Sequence, residues 1–209
     1  MINPNKLCKW RFTPYDLNQW NKSTNRVLFV APEPNGEQPN SGIPDMGNWF
    51  ITASPKNNYH GNQRFYNPHK IMLDGINGGD KGFSNFRFMD LKATQGGAKA
   101  SYKEILEYVQ THPDEIMKYF NSTDESFGLS PHIIVLLGDH AQKVFVKLVK
   151  QKITNKEIKW IGMPHPSSYT SGDGWRYASK RITENLKPIN QSGKRWSYKK
   201  DNFDDWGNI

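Results

Sequence analysis

Short runs of almost wholly apolar residues recur along this chain, separated by longer polar or amphipathic stretches. Three of them are Arg26–Ala31, His132–Leu137 and Lys159–Met163, and a partly alternating run covers Phe83–Leu91. Continuous apolar runs of this length are typical of strands that are buried on both faces of a parallel sheet. The pattern therefore predicts four strands, with the second one ending at Asp90.

The segments between these runs carry helix signals. Ser101 and Glu104 form the S-x-x-E pattern of a capping box, which predicts a helix that continues to about Val109. Pro113 is predicted to be the first helical position of a second helix that continues over 114–120. Apolar residues at helical spacing predict two more helices, one after Gly138-Asp139 with Ala141, Val144, Phe145 and Leu148, and a last long one over 174–186.

Strands that alternate with helices indicate crossover connections and a sheet covered on both faces. We expect an α/β fold, a three-layer sandwich around a central, mostly parallel four-stranded sheet. Residues 1–189 are assigned to a single domain and 190–209 to a C-terminal tail with many basic and aromatic residues. The tail could contact DNA, pack back on the domain or be disordered, and the sequence does not rank these three.

Composition narrows the functional classes. The 209 residues carry a formal net charge of +8, and 13% of them are aromatic. Basic residues interleaved with aromatic ones suit a surface that neutralises phosphates and stacks bases. An ordinary basic protein with a solvated lysine face would look similar.

The single cysteine, Cys8, excludes an internal disulfide, a Cys-rich zinc site and an iron–sulfur cluster. It favours a reducing compartment, so we expect a cytoplasmic protein. No apolar run approaches the roughly 20 residues of a membrane span, and none resembles a signal peptide. We expect no membrane association, no metal and no cofactor.

Two loops that follow predicted strands carry the candidate chemistry. Residues 32–44 are too rich in proline and glycine for a helix or strand and include Glu33. His165 stands between Pro164 and Pro166, which restrict its backbone. Since ligands of open α/β sheets bind beyond the carboxyl ends of strands, Glu33 and His165 are expected to face one crevice. Either residue could instead serve only to hydrogen-bond its own loop.

Three segments together resemble the uracil-DNA glycosylase superfamily, especially its single-strand-selective monofunctional branch. Ala31–Gly36 with Gly42–Pro44 is similar to that branch's water-activating motif, Arg64–Tyr66 to its Gly-x-Arg-Phe-Trp segment, and His165–Ser168 with Gly174-Trp175 to its His-Pro-Ser-Pro loop. The resemblance covers roughly residues 26–187. It implies a parallel four-stranded sheet, DNA as the partner and a monomeric enzyme that needs no metal.

The resemblance also implies roles for individual residues. Glu33 would hold the attacking water, and His165 would stabilise the negative charge that grows on the base. Asp90 would read the base edge, and an aromatic at Phe50 or Trp49, near the family's stacking position at Met46, would stack on the base. The residues expected to contact DNA are Asn35, Arg64, Ser167, Ser168 and the wedge Tyr169.

Two of the departures from the family pattern bear on catalysis and base selection. Glu33 stands where several branches have Asn or Asp, and Asp90 stands where the single-strand-selective branch has Asn. An Asn amide can donate to uracil O4, whereas an ionised Asp only accepts and would suit an exocyclic amine such as cytosine N4. A protonated Asp90 in a dry pocket would remove that distinction. The sequence therefore favours a cytosine-type or modified base over plain uracil.

We expect a monofunctional DNA glycosylase that leaves an abasic site, in repair or in defence against modified foreign DNA. The alternative is a catalytically inactive DNA-binding module with the same fold, because the family's Asn is absent at both positions. A small-molecule nucleotide or phosphate-ester hydrolase ranks last, since no phosphate-cradling glycine loop is present.

Overall fold

Four parallel strands form the centre of the sheet. The computed structural model describes residues 17–33, 86–93, 100–163 and 165, together with the backbone of 206–208. The strands are β1 (Val27–Ala31), β2 (Phe86–Asp90), β3 (Ile133–Leu137) and β4 (Lys159–Met163), in the order β2-β1-β3-β4. Each lies within the apolar run that predicted it. The α/β fold with a four-stranded parallel sheet is therefore confirmed.

A short fifth strand extends this sheet. β5 (Trp206–Asn208) pairs antiparallel with β4, with Gly207 opposite Trp160. These three residues belong to the segment 190–209, for which the sequence left three fates open. Their backbone packs back on the domain as an additional strand beside β4.

Three of the four described helices begin where the sequence predicted them, and the first of the four was not predicted. The chain forms α1 (Leu17–Lys22), α2 (Tyr102–Thr111), α3 (Pro113–Asn121) and α4 (Asp139–Val144), and α4 continues as a π-helical turn, Phe145–Val149, and a 3₁₀ turn, Lys150–Lys152. Ser101 caps α2, its hydroxyl accepting the Glu104 N–H at 3.4 Å. Pro113 is the first residue of α3, where its missing N–H is not needed. The helix predicted over 174–186 lies outside the described residues.

The core lies on both faces of the sheet. On one face, strand residues pack with helices α2, α3 and α4; the members of this cluster include Leu28, Val30, Met89, Ile134, Leu136, Ile105, Phe120 and Phe145. On the other face Phe29, Phe88, Val135 and Ile161 are equally buried. Each such side chain contributes about 1.5–3 kcal/mol when it is fully removed from water. Burial on both faces is what makes this a three-layer arrangement.

A buried arginine ties β2 to the segments beside it. Arg87 is fully buried; its guanidinium donates to the carbonyl oxygens of Phe127 and Gly128. It also lies over the ring of Phe127, 4.7 Å from the centroid, with Trp20 and Tyr119 slightly farther away. Burial lowers the pKa of Arg87 to about 10, so the side chain is still a cation at neutral pH.

Replacing Arg87 by alanine is expected to lower the free energy of unfolding by about 3 kcal/mol. The change leaves buried carbonyl oxygens without their donor and opens a cavity beneath aromatic rings. Urea denaturation followed by tryptophan fluorescence measures the loss. Lys103→Ala is the control, because the Lys103 side chain is 84% exposed and should matter little. A loss no larger than that of the control would show that Arg87 does not hold β2 in place.

Candidate functional site

The carboxyl ends of the four parallel strands lie level with one another. Ala31 at the end of β1 pairs with Asp90 at the end of β2, and Leu137 of β3 pairs with Met163 of β4. The register between β1 and β3 aligns these two pairs. Residues that follow the strand ends at equal distances along the chain therefore leave the sheet at the same edge.

Glu33 and His165 meet this condition. Glu33 comes two residues after Ala31, and His165 comes two residues after Met163. Since only β3 separates β1 from β4, the axes of the two strands lie about 10 Å apart. Asp90 is next to β1 on the other side, so the three residues predicted from sequence share one edge of the sheet.

Glu33 is buried and holds two partners. One carboxylate oxygen, Oε2, lies 2.8 Å from Lys92 Nζ, and the other, Oε1, accepts the backbone N–H of Ser101 at 3.2 Å. The Glu33 side chain is only 1% exposed. In a complete capping box the Ser101 N–H would be bonded by Glu104. Glu33 takes that place and so fixes the start of α2 against the end of β1.

Lys92 was not singled out in the sequence, although among the residues that the structure describes it is the cation in contact with Glu33. Its ammonium contacts Glu104 Oε2 at 2.7 Å as well as Glu33. Burial alone would lower the pKa of Lys92, but the hydrogen bonds to Glu104 and Glu33 outweigh that effect and raise it. Lys92 is therefore an ammonium at neutral pH. Its position just after β2 was readable in the sequence, but its partners were not.

His165 packs against the turn that ends β3. Gly138 has a positive φ of +87°, and its N–H donates to the carbonyl oxygen of Met163 at 2.7 Å. A Cβ at Gly138 would lie 3.3 Å from the Cβ of His165. Burial lowers the pKa of His165 below its usual 6.5, which leaves the imidazole neutral at pH 7. Its neutral ring keeps one N–H donor and one acceptor nitrogen.

Gln142 of α4 is hydrogen-bonded to the last residue of β4. Its side-chain Nε2 donates to the carbonyl oxygen of Met163 at 3.1 Å. A Cβ at Gly162 would approach the Gln142 carboxamide to 2.6 Å, so the glycine leaves room for this bond. The carbonyl of Met163 thus accepts from both Gly138 and Gln142. Two hydrogen bonds fix the chain two residues before His165.

Asp90 lies at the end of β2 and is 4% exposed. By the alternation along the strand, it shares the sheet face of Phe86 and Phe88, opposite to the helices α2–α4. Its predicted role in base recognition stays a prediction.

The other predicted site residues lie outside the described part of the chain. They are Asn35, Met46, Trp49, Phe50, Arg64, Ser167, Ser168 and Tyr169. Within the described ranges, no three His, Cys, Asp or Glu residues are grouped as metal ligands. No helix among those ranges is long and apolar enough to cross a bilayer.

No protein-family model matches this sequence, and no curated protein matches it either.

Gly138→Ala is expected to displace His165 as well as to destabilise the protein by about 1–3 kcal/mol, because Gly138 has a positive φ and a ψ of 161°, a conformation that only glycine adopts readily. Gly128→Ala is the matched control, since Gly128 also has positive φ (+101°) but contacts Arg87 and Leu17 rather than His165. Both variants should unfold at lower urea concentration. Only Gly138→Ala should shift the NMR signals of the His165 ring, and equal ring shifts in both variants would contradict the predicted contact.

Proposed function

We propose that this protein is a monofunctional DNA glycosylase. It hydrolyses the N-glycosidic bond of a flipped uracil-like or modified pyrimidine base and leaves an abasic site, in repair or in defence against modified foreign DNA. The observation that carries the proposal is that a buried carboxylate, Glu33, and a partly buried neutral imidazole, His165, follow level strand ends at one edge of a parallel sheet. The motif resemblance supplies the substrate class.

The two groups suit the two charges that form as this bond breaks. The sugar becomes cationic at C1′, and the departing base becomes anionic. Glu33 orients a water towards C1′ and stabilises the cation. His165 donates a hydrogen bond to the base O2 as negative charge accumulates there. The water oxygen bonds to C1′, the C1′–N bond breaks, and the proton released from the water ends on the base or in solvent. A preorganised donor of this kind contributes roughly 3–4 kcal/mol.

The neutral state of His165 favours this role. A neutral imidazole donates its N–H to an anion and keeps the proton, as neutral histidines do in other enzymes that stabilise developing oxyanions. Because burial lowers its pKa, His165 takes up a proton only below pH 6.5. The histidine is then in its working form throughout the neutral range.

The state of Lys92 supports water rather than an amine as the nucleophile. A Schiff-base mechanism needs an unprotonated amine. Lys92, the lysine that contacts Glu33, has a raised pKa and is paired with two carboxylates. It is an ammonium and cannot attack C1′, which agrees with a monofunctional enzyme.

Base selection is assigned to Asp90 and to residues outside the described ranges. Base flipping requires a few kcal/mol, and Tyr169 would fill the gap that it leaves. Phe50 or Trp49, near Met46, would stack on the extruded base, and Asp90 would accept from its exocyclic amine. Phosphates would be held by the basic surface of this +8 chain and by Asn35, Arg64, Ser167 and Ser168.

A DNA-binding module without catalysis is the second candidate, and the contacts of Glu33 favour it. Both Glu33 oxygens already have partners, and the side chain is 1% exposed. A carboxylate in that position is also explained as a structural cap of α2. Activity, not affinity, decides between the two functions.

Mass spectrometry of bases released from single- and double-stranded DNA, carrying uracil, 5-substituted uracils or modified cytosines, tests the proposal. We expect one base class to be released, and alkali to cleave the DNA at the resulting abasic site. Glu33→Gln and His165→Ala should each lower the single-turnover rate by about 10²–10³-fold, because each removes one group that stabilises transition-state charge.

Lys118→Ala is the control. Lys118 lies on α3 over the ring of Phe127, a ring that Arg87 also contacts, so this substitution should leave the rate of base release unchanged. If the wild type releases no base from any of these DNAs, and His165→Ala binds them with unchanged affinity, the binding module replaces the enzyme.

Asp90→Asn should change base preference. The Asn amide can donate to a carbonyl at position 4 as well as accept, whereas a carboxylate only accepts. We expect the ratio of kcat/KM for cytosine-type over uracil-type bases to fall by about 10-fold or more, in line with 1–3 kcal/mol for a specific base contact. Competition between two labelled oligonucleotides measures this ratio directly. An unchanged ratio would remove Asp90 from base recognition.

A further inference from the structure

We infer that Lys92 is a positioning residue for Glu33: the buried Lys92 ammonium holds the Glu33 carboxylate in a fixed orientation at the edge of the sheet. The catalytic meaning of this contact rests on the proposed function. The physical contact itself does not, and it can be tested separately.

The two ion pairs of Lys92 differ in their exposure to water. The pair with Glu33 joins side chains that are 9% and 1% exposed, whereas the partner on the other side, Glu104, is 58% exposed. Charges attract more strongly where water is excluded, and an exposed pair contributes little. Lys92 therefore acts mainly on Glu33, and Glu104 anchors its outer side.

The backbone holds Lys92 in this position. The Leu91 N–H donates to the carbonyl of Ala31 at 2.9 Å, and the Lys92 N–H donates to the carbonyl of Pro32 at 3.0 Å. These bonds join the two chain segments beyond the last paired residues of β1 and β2. Lys92 is bonded to Pro32, and Glu33 is the next residue after Pro32. The backbone bonds therefore place the Lys92 ammonium beside the Glu33 carboxylate.

The other described polar groups near Glu33 come from α2, from α4 and from the end of β2. Ser101 contributes a backbone N–H to Glu33 from the start of α2. From α4, which packs against α2, His140 lies beside Tyr102 with ring centroids 5.9 Å apart. Asp90 ends the strand from which Lys92 follows. Among the described residues, Lys92 is the cation in contact with Glu33.

The charge of the cluster suits a cationic sugar. Glu33, Glu104 and Lys92 together carry a formal net charge of −1, from two carboxylates and one ammonium. Each Glu33 oxygen has a second lone pair, which can accept from a water. Held in this way, Glu33 can orient that water and remain an anion while the sugar becomes positive.

The test is an NMR titration of glutamate carboxyl carbons in protein labelled at that position, with Glu33→Gln to assign the Glu33 signal. In Lys92→Met the buried carboxylate loses its cation, and its titration should move to higher pH by about one unit or more. Lys92→Arg keeps the charge and should stay near the wild type. Lys143→Met is the matched control and should leave the Glu33 titration unchanged. Lys143 also lies 2.8 Å from a carboxylate, that of Asp139, but their i,i+4 pair is partly exposed.

The wild type provides a second readout that does not depend on a folded variant. Its Lys92 ammonium protons should exchange slowly enough to be seen by ¹⁵N-detected NMR, while those of exposed lysines are averaged. A Glu33 titration that is unchanged in folded Lys92→Met, or a Lys92 ammonium that exchanges like the exposed ones, would overturn the inference.

Kinetics then separates this inference from the proposed function. If the wild type releases a base, the acidic limb of the pH–rate profile in Lys92→Met should move to higher pH together with the Glu33 titration. In Lys92→Arg the acidic limb should return to its wild-type position. Absence of release by the wild type would refute the proposed function alone, because the titration still decides the role of Lys92.

Discussion

The shared register of four parallel strands is the constraint on which the candidate site depends. A slip of one residue in any pair would turn every side chain of that strand to the opposite face of the sheet. Since both faces are buried, such a slip would also place Arg87 among the apolar residues of the other face. The register that the core requires is thus the same one that aligns the ends of β1, β2, β3 and β4. The core and the site are two results of one alignment.

The second feature of the site is that it contains buried charged side chains. Glu33 and Lys92 are both removed from water, and desolvation of two ions can exceed their mutual attraction. Here a backbone N–H and a second carboxylate provide the additional hydrogen bonds that make such a pair tolerable. A buried pair of this kind is weak evidence for stability, so its value lies in the orientation of Glu33. The pKa of His165 moves in the opposite direction to that of Lys92, because burial lowers it and favours the neutral imidazole.

The capping box shows where local reasoning succeeds and where it stops. The Ser101 half of the predicted motif is present, and α2 begins where that half places it. The Glu104 half is not, because Glu104 turns to Lys92 and Glu33 bonds the Ser101 N–H instead. A motif read from four neighbouring residues cannot anticipate a competitor that lies 68 residues away in the chain. The long-range partner replaces the local one because it brings a fully desolvated carboxylate that needs a donor.

The sequence by itself determined the four strands, the starts of α2, α3 and α4, and the chain positions of Glu33, Asp90 and His165 just at or past strand ends. These follow from hydrophobic periodicity and from proline, glycine and serine at helix ends, which are local effects. Only the tertiary structure decided the strand order, the return of β5 to the sheet, the pairing of Glu33 with Lys92, and the contact between Gly138 and His165. Those depend on which distant segments become neighbours, and burial and charge at a position exist only once those neighbours are in place.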